Sequence, residues 1–196
     1  MNNTAQSSEP GSFVDHLPGG AVVWIVVLLE LGTFALFFFG FAWSYAQEPR
    51  EFSESQQLLH PLSGAINTMV LLTGSWAVAR GVSAKTTGKS PLIWLWGAAF
   101  SGVAFVAIKI NEYLSVFEHG VSLSTNQFWF FYLFLTVLHL VHVIIGIGIC
   151  AYLATWLRFP NPPALDVIEA GGIYWHLIDL IWVFLFPLLY LSGAFT

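Results

Sequence analysis

The sequence predicts an all-α integral membrane protein: a bundle of five transmembrane helices with the N-terminus cytoplasmic and the C-terminus on the outer, periplasmic side. Three observations lead there. The 196 residues are 57% hydrophobic and 9% charged, with a mean hydropathy of +0.74, the composition of a membrane chain rather than a soluble core. Five segments reach the roughly 20 apolar residues that cross a bilayer. The Lys and Arg residues of the short connectors fall mainly on one side, which sets orientation.

The elements follow in order. Residues 1–20 are polar, lack Lys and Arg, and contain Pro10, Gly11, Pro18, Gly19 and Gly20. They read as a flexible tail without a cleavable signal, so the first hydrophobic helix is expected to act as the insertion signal. Residues 21–196 then form a single transmembrane domain with spans at about 21–46, 62–82, 92–117, 128–157 and 173–194. Polar connectors lie at 47–60 and 83–90, a short loop at 118–127, and a stretch rich in proline and acids at 159–172. With Arg80, Lys85, Lys89 and Arg158 assigned to the cytoplasm, only Arg50 falls outside; Lys109 lies within a span and is not counted.

Several finer features fit this frame. Trp24, Trp43, Tyr45, Trp94, Trp96, Trp129, Tyr132, Trp156, Tyr174, Trp175 and Tyr190 lie near the ends of the spans and are read mostly as an aromatic belt at the headgroups. Pro187 is expected to kink the last span or free one carbonyl. Glycines at 32/40, 97/102 and 146/148 suit close helix approach. The net charge of −5 leaves no basic surface for nucleic acid. Cys150, the single cysteine, cannot form an intrachain disulfide and is read as a packing residue.

The spans also carry ionisable residues. Lys109/Glu112, His139/His142 and His176/Asp179 are each spaced i, i+3, and Glu30 stands alone in the first span. A charge deep in a bilayer costs ~2.5–3.5 kcal/mol on insertion scales, so such residues pair or serve a purpose. The i, i+3 spacing puts both members of a pair on one helix face. Position along the spans predicts an outer polar layer of Lys109, Glu112, His139 and His142, and an inner layer of Glu30, His176 and Asp179. Interhelical structural pairing is the favoured reading, with a proton- or ion-handling path and contact with phospholipid or a partner subunit as alternatives. His139/His142 alone lack the further ligands a metal needs, the HExxH spacing is absent, and histidines well inside a span occur only in the fourth, which argues against bis-haem ligation. No catalytic constellation is seen, and neither metal nor cofactor is expected in this chain.

The run from Tyr174-Trp175-His176 through Asp179 and Trp182 to Phe186-Pro187 resembles the last-helix signature of subunit III of the haem–copper oxidases. His139-Leu140-Val141-His142-Val143 with Gly146, Asn67-Thr68 followed by Val70-Leu71-Leu72, the Glu112-Tyr113 pair, and Glu30 in an apolar first helix are similar to other stretches of that family. The five spans resemble its five-helix bacterial form rather than the seven-helix mitochondrial one. Lys109 and Asn111 depart from the pattern, since many members are less charged there. The resemblance implies a non-catalytic subunit of a terminal oxidase in a bacterial cytoplasmic (inner) membrane, packed beside catalytic subunit I and subunit II. Haem and copper would be held by that partner, phospholipid would be a ligand, and the role would be to stabilise the catalytic subunit and support proton uptake. An accessory subunit of a nitric oxide reductase is the alternative. A small transporter or proton channel, or a membrane enzyme with a metal at His139/His142, are the rival classes.

Overall fold

The computed structural model describes residues 17–192. These form six helices: α1 (Ala21–Gln47), α2 (Pro49–Gln56), α3 (Pro61–Thr86), α4 (Leu92–Glu118), α5 (Gln127–Trp156) and α6 (Leu165–Tyr190). All but α2 are long and apolar enough to cross a membrane, so the chain is a multi-pass membrane protein. Residues 1–16 of the expected tail, and Ala194 at the end of the last expected span, lie outside the described residues.

Two elements differ from the sequence expectation. The connector at 47–60 contains α2, an eight-residue helix opened by Pro49, a residue whose fixed φ suits a first helical position. It is held by tertiary contacts: Phe52, fully buried, packs edge-on against Phe41 and Phe128. Gln56 Nε2 donates to the Leu189 carbonyl (2.8 Å) and to Ser192 Oγ (2.7 Å). The last helix begins at Leu165 rather than 173. Asp166 falls in its first turn, where a carboxylate complements the helix dipole, so acidic residues that read as loop are helix-starting residues. Pro187 is accommodated within α6, which continues to Tyr190.

Capping explains other boundaries. Asn126 Oδ1 accepts from the Trp129 amide (3.0 Å) to start α5, while its Nδ2 donates to Ser55 Oγ on α2 (2.8 Å). α4 gives way to Gly120 at φ 75°, a left-handed conformation that suits glycine.

Helices α3, α4, α5 and α6 form a closed ring in which each packs on two neighbours, while α1 lies outside it against α6 and, less closely, α5. Trp175 of α6, 1% exposed, occupies the interior of the ring. A Cβ placed on Gly74 of α3, Gly102 of α4 or Gly146 of α5 would come 2.9, 3.0 and 3.4 Å from its indole. Three helices thus give up a side chain at one level to admit one large ring. α2 closes the end of the bundle where α1 finishes and α3 begins.

Candidate functional site

The densest polar site lies in the ring near the α2 end. Lys109 of α4, fully buried, places Nζ 2.9 Å from Glu112 Oε1 one turn along the same helix. Its ammonium also donates to Tyr132 Oη of α5 (3.1 Å) and Tyr190 Oη of α6 (2.6 Å). Both tyrosine hydroxyls donate in turn to Glu112 Oε1. Ser63 Oγ of α3 donates to Oε2 (3.2 Å). The rings of Tyr113, Tyr132, Trp182 and Tyr190 surround the ammonium, with centroids 4.7–5.5 Å away. One cation and one anion are therefore neutralised against each other, each ammonium hydrogen has an acceptor, and all four ring helices contribute a group.

The histidines of α5 part company. His142 Nε2 lies 3.1 Å from Glu30 Oε2 of α1, while its Nδ1 lies 2.7 Å from the Leu138 carbonyl. A carbonyl can only accept, so Nδ1 donates to it, and Nε2 is the nitrogen turned to the Glu30 carboxyl. His139, fully buried, stacks on Trp182 (5.3 Å between centroids) and meets the edge of Phe105 (5.6 Å). Neither of its ring nitrogens has a hydrogen-bond partner among the described residues.

On α6, His176 Nδ1 lies 2.6 Å from Ser75 Oγ of α3. Asp179, buried one turn further on, lies beside the same serine. The earlier start of α6 matters here. His176 stands eleven residues into the 26-residue helix, about 16 Å at 1.5 Å per residue, so it lies near the middle of α6.

The two expected layers are therefore regrouped. Lys109 and Glu112 stay together. His142 leaves them for Glu30, His139 is packed among aromatic rings, His176 meets Ser75, and Asp179 lies buried near that serine with neither carboxylate oxygen hydrogen-bonded among the described residues. The sequence reading missed Ser63, Ser75, Tyr132, Tyr190 and Trp182. Tyr132 and Tyr190 had been assigned to the headgroup belt, as had Trp129 and Trp175, yet all four are buried in the bundle. Tyr132 lies seven residues from His139 on one face of α5, a spacing that could have flagged it. Tyr190 carries no comparable signal. Among the described residues there is no group of three or more His, Cys, Asp or Glu side chains placed to hold a metal ion.

No family model matches the chain. Individual relatives do. A cytochrome c oxidase subunit 3 from Thermostichus vulcanus is 30% identical over 210 aligned positions that cover 100% of both chains. A cytochrome c oxidase subunit 3 from Alkalihalophilus pseudofirmus is 33% identical over 137 residues, covering 66% of this chain and 65% of the relative. A quinol oxidase subunit 3 from Bacillus subtilis is 34% identical over 134 residues, covering 65% of each. The chain thus spans about two thirds of the length of the latter two relatives and the whole of the first. On the full-length match, with the five spanning helices and their buried polar residues beside it, the chain belongs to the subunit III family of the haem–copper cytochrome c and quinol oxidases.

Proposed function

We propose that this chain is the non-catalytic subunit III of a haem–copper terminal oxidase in a bacterial cytoplasmic membrane. It packs against catalytic subunit I, with subunit II in the same complex, and serves aerobic electron transport in which oxygen reduction is coupled to proton pumping. Its part is to stabilise the catalytic subunit and support proton uptake, with haem and copper held by the partner and with phospholipid along its apolar faces. In this reading residues 21–196 are one transmembrane domain and residues 1–20 a polar cytoplasmic tail.

The observation that carries the reading is the full-length match to a cytochrome c oxidase subunit 3. The geometry is consistent with it: Lys109, Glu112, Glu30 and His142 are engaged with one another and with tyrosine and serine hydroxyls. Such groups fix the register of a scaffold. Orientation is N-terminus in and C-terminus out, because Arg80, Lys85, Lys89 and Arg158 gather at the end opposite α2 and Arg50 lies at the α2 end.

The test is affinity purification of the tagged chain from its native membrane in mild detergent, followed by optical spectroscopy. A haem protein recovered in stoichiometric amount, with oxygen consumption supported by reduced cytochrome c or by quinol, is the expected outcome. A chain that purifies without any haem protein overturns the assignment.

A further inference from the structure

Buried on most sides, α6 shows the outside Asp166 in its first turn and, further on, a narrow stripe of His176, Leu180, Val183, Phe184 and Pro187. His176 is the ionisable member of that stripe, and it lies near the middle of α6. Ionisable side chains at such depth face a protein interior or a polar cavity, because acyl chains offer no hydrogen bond. The other exposed ionisable group on a neighbouring helix, Arg80, lies over Trp94 near the start of α4, where a side chain can reach the headgroups. His176 has no such exit.

Its inner nitrogen is engaged by Ser75 at 2.6 Å. That leaves Nε2 on the outward side of the ring, a hydrogen-bonding atom that donates or accepts according to which nitrogen carries the ring hydrogen. Two turns nearer the start of α6, Glu169 lines a groove of about 320 Å³ together with Ala79, Val82, Ile173 and His176 itself, and with Pro18 of the segment before α1. Ala79, small and exposed, allows another backbone to approach closely. The carboxylate and the imidazole are seven residues apart, about 10 Å along the axis, on one face of one helix.

We propose that this α3–α6 face is the surface through which the chain docks on a spanning helix of its membrane partner, and that the partner supplies a polar side chain to hydrogen-bond His176 Nε2 and a basic side chain to Glu169. The proposal rests on the subunit III reading and adds to it the face used and the two side-chain chemistries that meet it. A phospholipid places its polar atoms at the headgroup, so it can reach the Glu169 level but leaves His176 Nε2, two turns further along α6, unmet.

The experiment uses the whole complex in its native membrane. A photoreactive amino acid is introduced singly at Ala79 and Leu180, which flank His176, and for comparison at Phe100 and Leu114 on the outward face of α4. Crosslinks from the first pair to the haem-bearing subunit, and not from the second pair, are expected. His176→Leu should lower the haem recovered per chain about tenfold, the equivalent of 1.4 kcal/mol, and His176→Gln, whose amide both donates and accepts, should restore most of it. Crosslinks to the haem-bearing subunit from Phe100 and Leu114 alone, crosslinks from Ala79 and Leu180 only to lipid or a second copy of this chain, or undiminished haem with His176→Leu would each overturn the proposal. Loss of haem from the wild-type chain is a separate outcome that removes the subunit III reading and the docking face with it.

Discussion

An ammonium sealed inside a membrane protein has three hydrogens to place, and Lys109 places them on oxygens from α4, α5 and α6. The pair is therefore a junction, and its energetics are asymmetric. Removing one charge leaves the other buried and unpaired, which costs about 3–5 kcal/mol, whereas replacing both with apolar residues of similar volume is often neutral. Glu112→Ala should accordingly destabilise the detergent-solubilised chain by about 3–5 kcal/mol, while the double substitution Lys109→Met with Glu112→Leu should recover most of the loss. Thermal unfolding of the double variant and of Lys109→Met and Glu112→Leu singly completes a double-mutant cycle; a coupling energy near zero would show that the junction does not act as a unit. The i, i+3 spacing made the Lys109–Glu112 contact readable in the sequence. Its tyrosine partners were not readable, because Tyr132 and Tyr190 lie 20 and 78 residues from Glu112, and nothing local distinguishes a tyrosine facing headgroups from one facing a buried carboxylate.

Among the elements, α6 is organised by Trp175. Its indole fills the slot left by Gly74, Gly102 and Gly146, so α3, α4 and α5 are locked against one side chain. Trp175→Ala should open a cavity and cost about 3–5 kcal/mol. Gly102→Leu should cost about 1–3 kcal/mol by overpacking, since even its Cβ would lie 2.5 Å from Ile147 Cγ1. Equilibrium unfolding in detergent measures both, and wild-type stability for either variant would show that the slot does not hold the bundle. Gly102 and Gly146 stood out in the sequence as close-approach residues; Gly74 did not, since a glycine among small and polar neighbours gives no sign of which ring will face it. The five spans were legible because apolar length is a local property. α2 was not, because a polar eight-residue helix is stable only where Phe52 and Gln56 find distant partners. The start of α6 was missed for a related reason: Asp166 and Glu169 interrupt hydropathy without interrupting the helix.

At the scale of the whole molecule the bundle has unlike ends. The end closed by α2 is bonded across by Gln56 to Leu189 and by Asn126 to Ser55, and Arg50 is its basic residue. Arg80, Lys85, Lys89 and Arg158 gather at the other end. A reporter active only in the cytoplasm should therefore work when fused within 87–90 or 158–164 and fail within 121–125; the reverse pattern would invert the proposed orientation. This arrangement followed from the sequence because charge asymmetry survives without knowledge of packing, whereas the pairing of Glu30 with His142 required the placement of α1 against the ring. The Trp175 slot has one more consequence. Axial alignment of α3 to α6 is stored at a single level inside the ring, so it does not depend on the length of the connectors. Insertions and deletions can accumulate in 87–90 and 158–164 without moving a buried charge. One residue added inside a helix shifts everything beyond it by 1.5 Å and turns it by about 100°, separating each polar group from its partner. Related chains should therefore vary in length at the basic end and keep strict spacing between Trp175 and Tyr190.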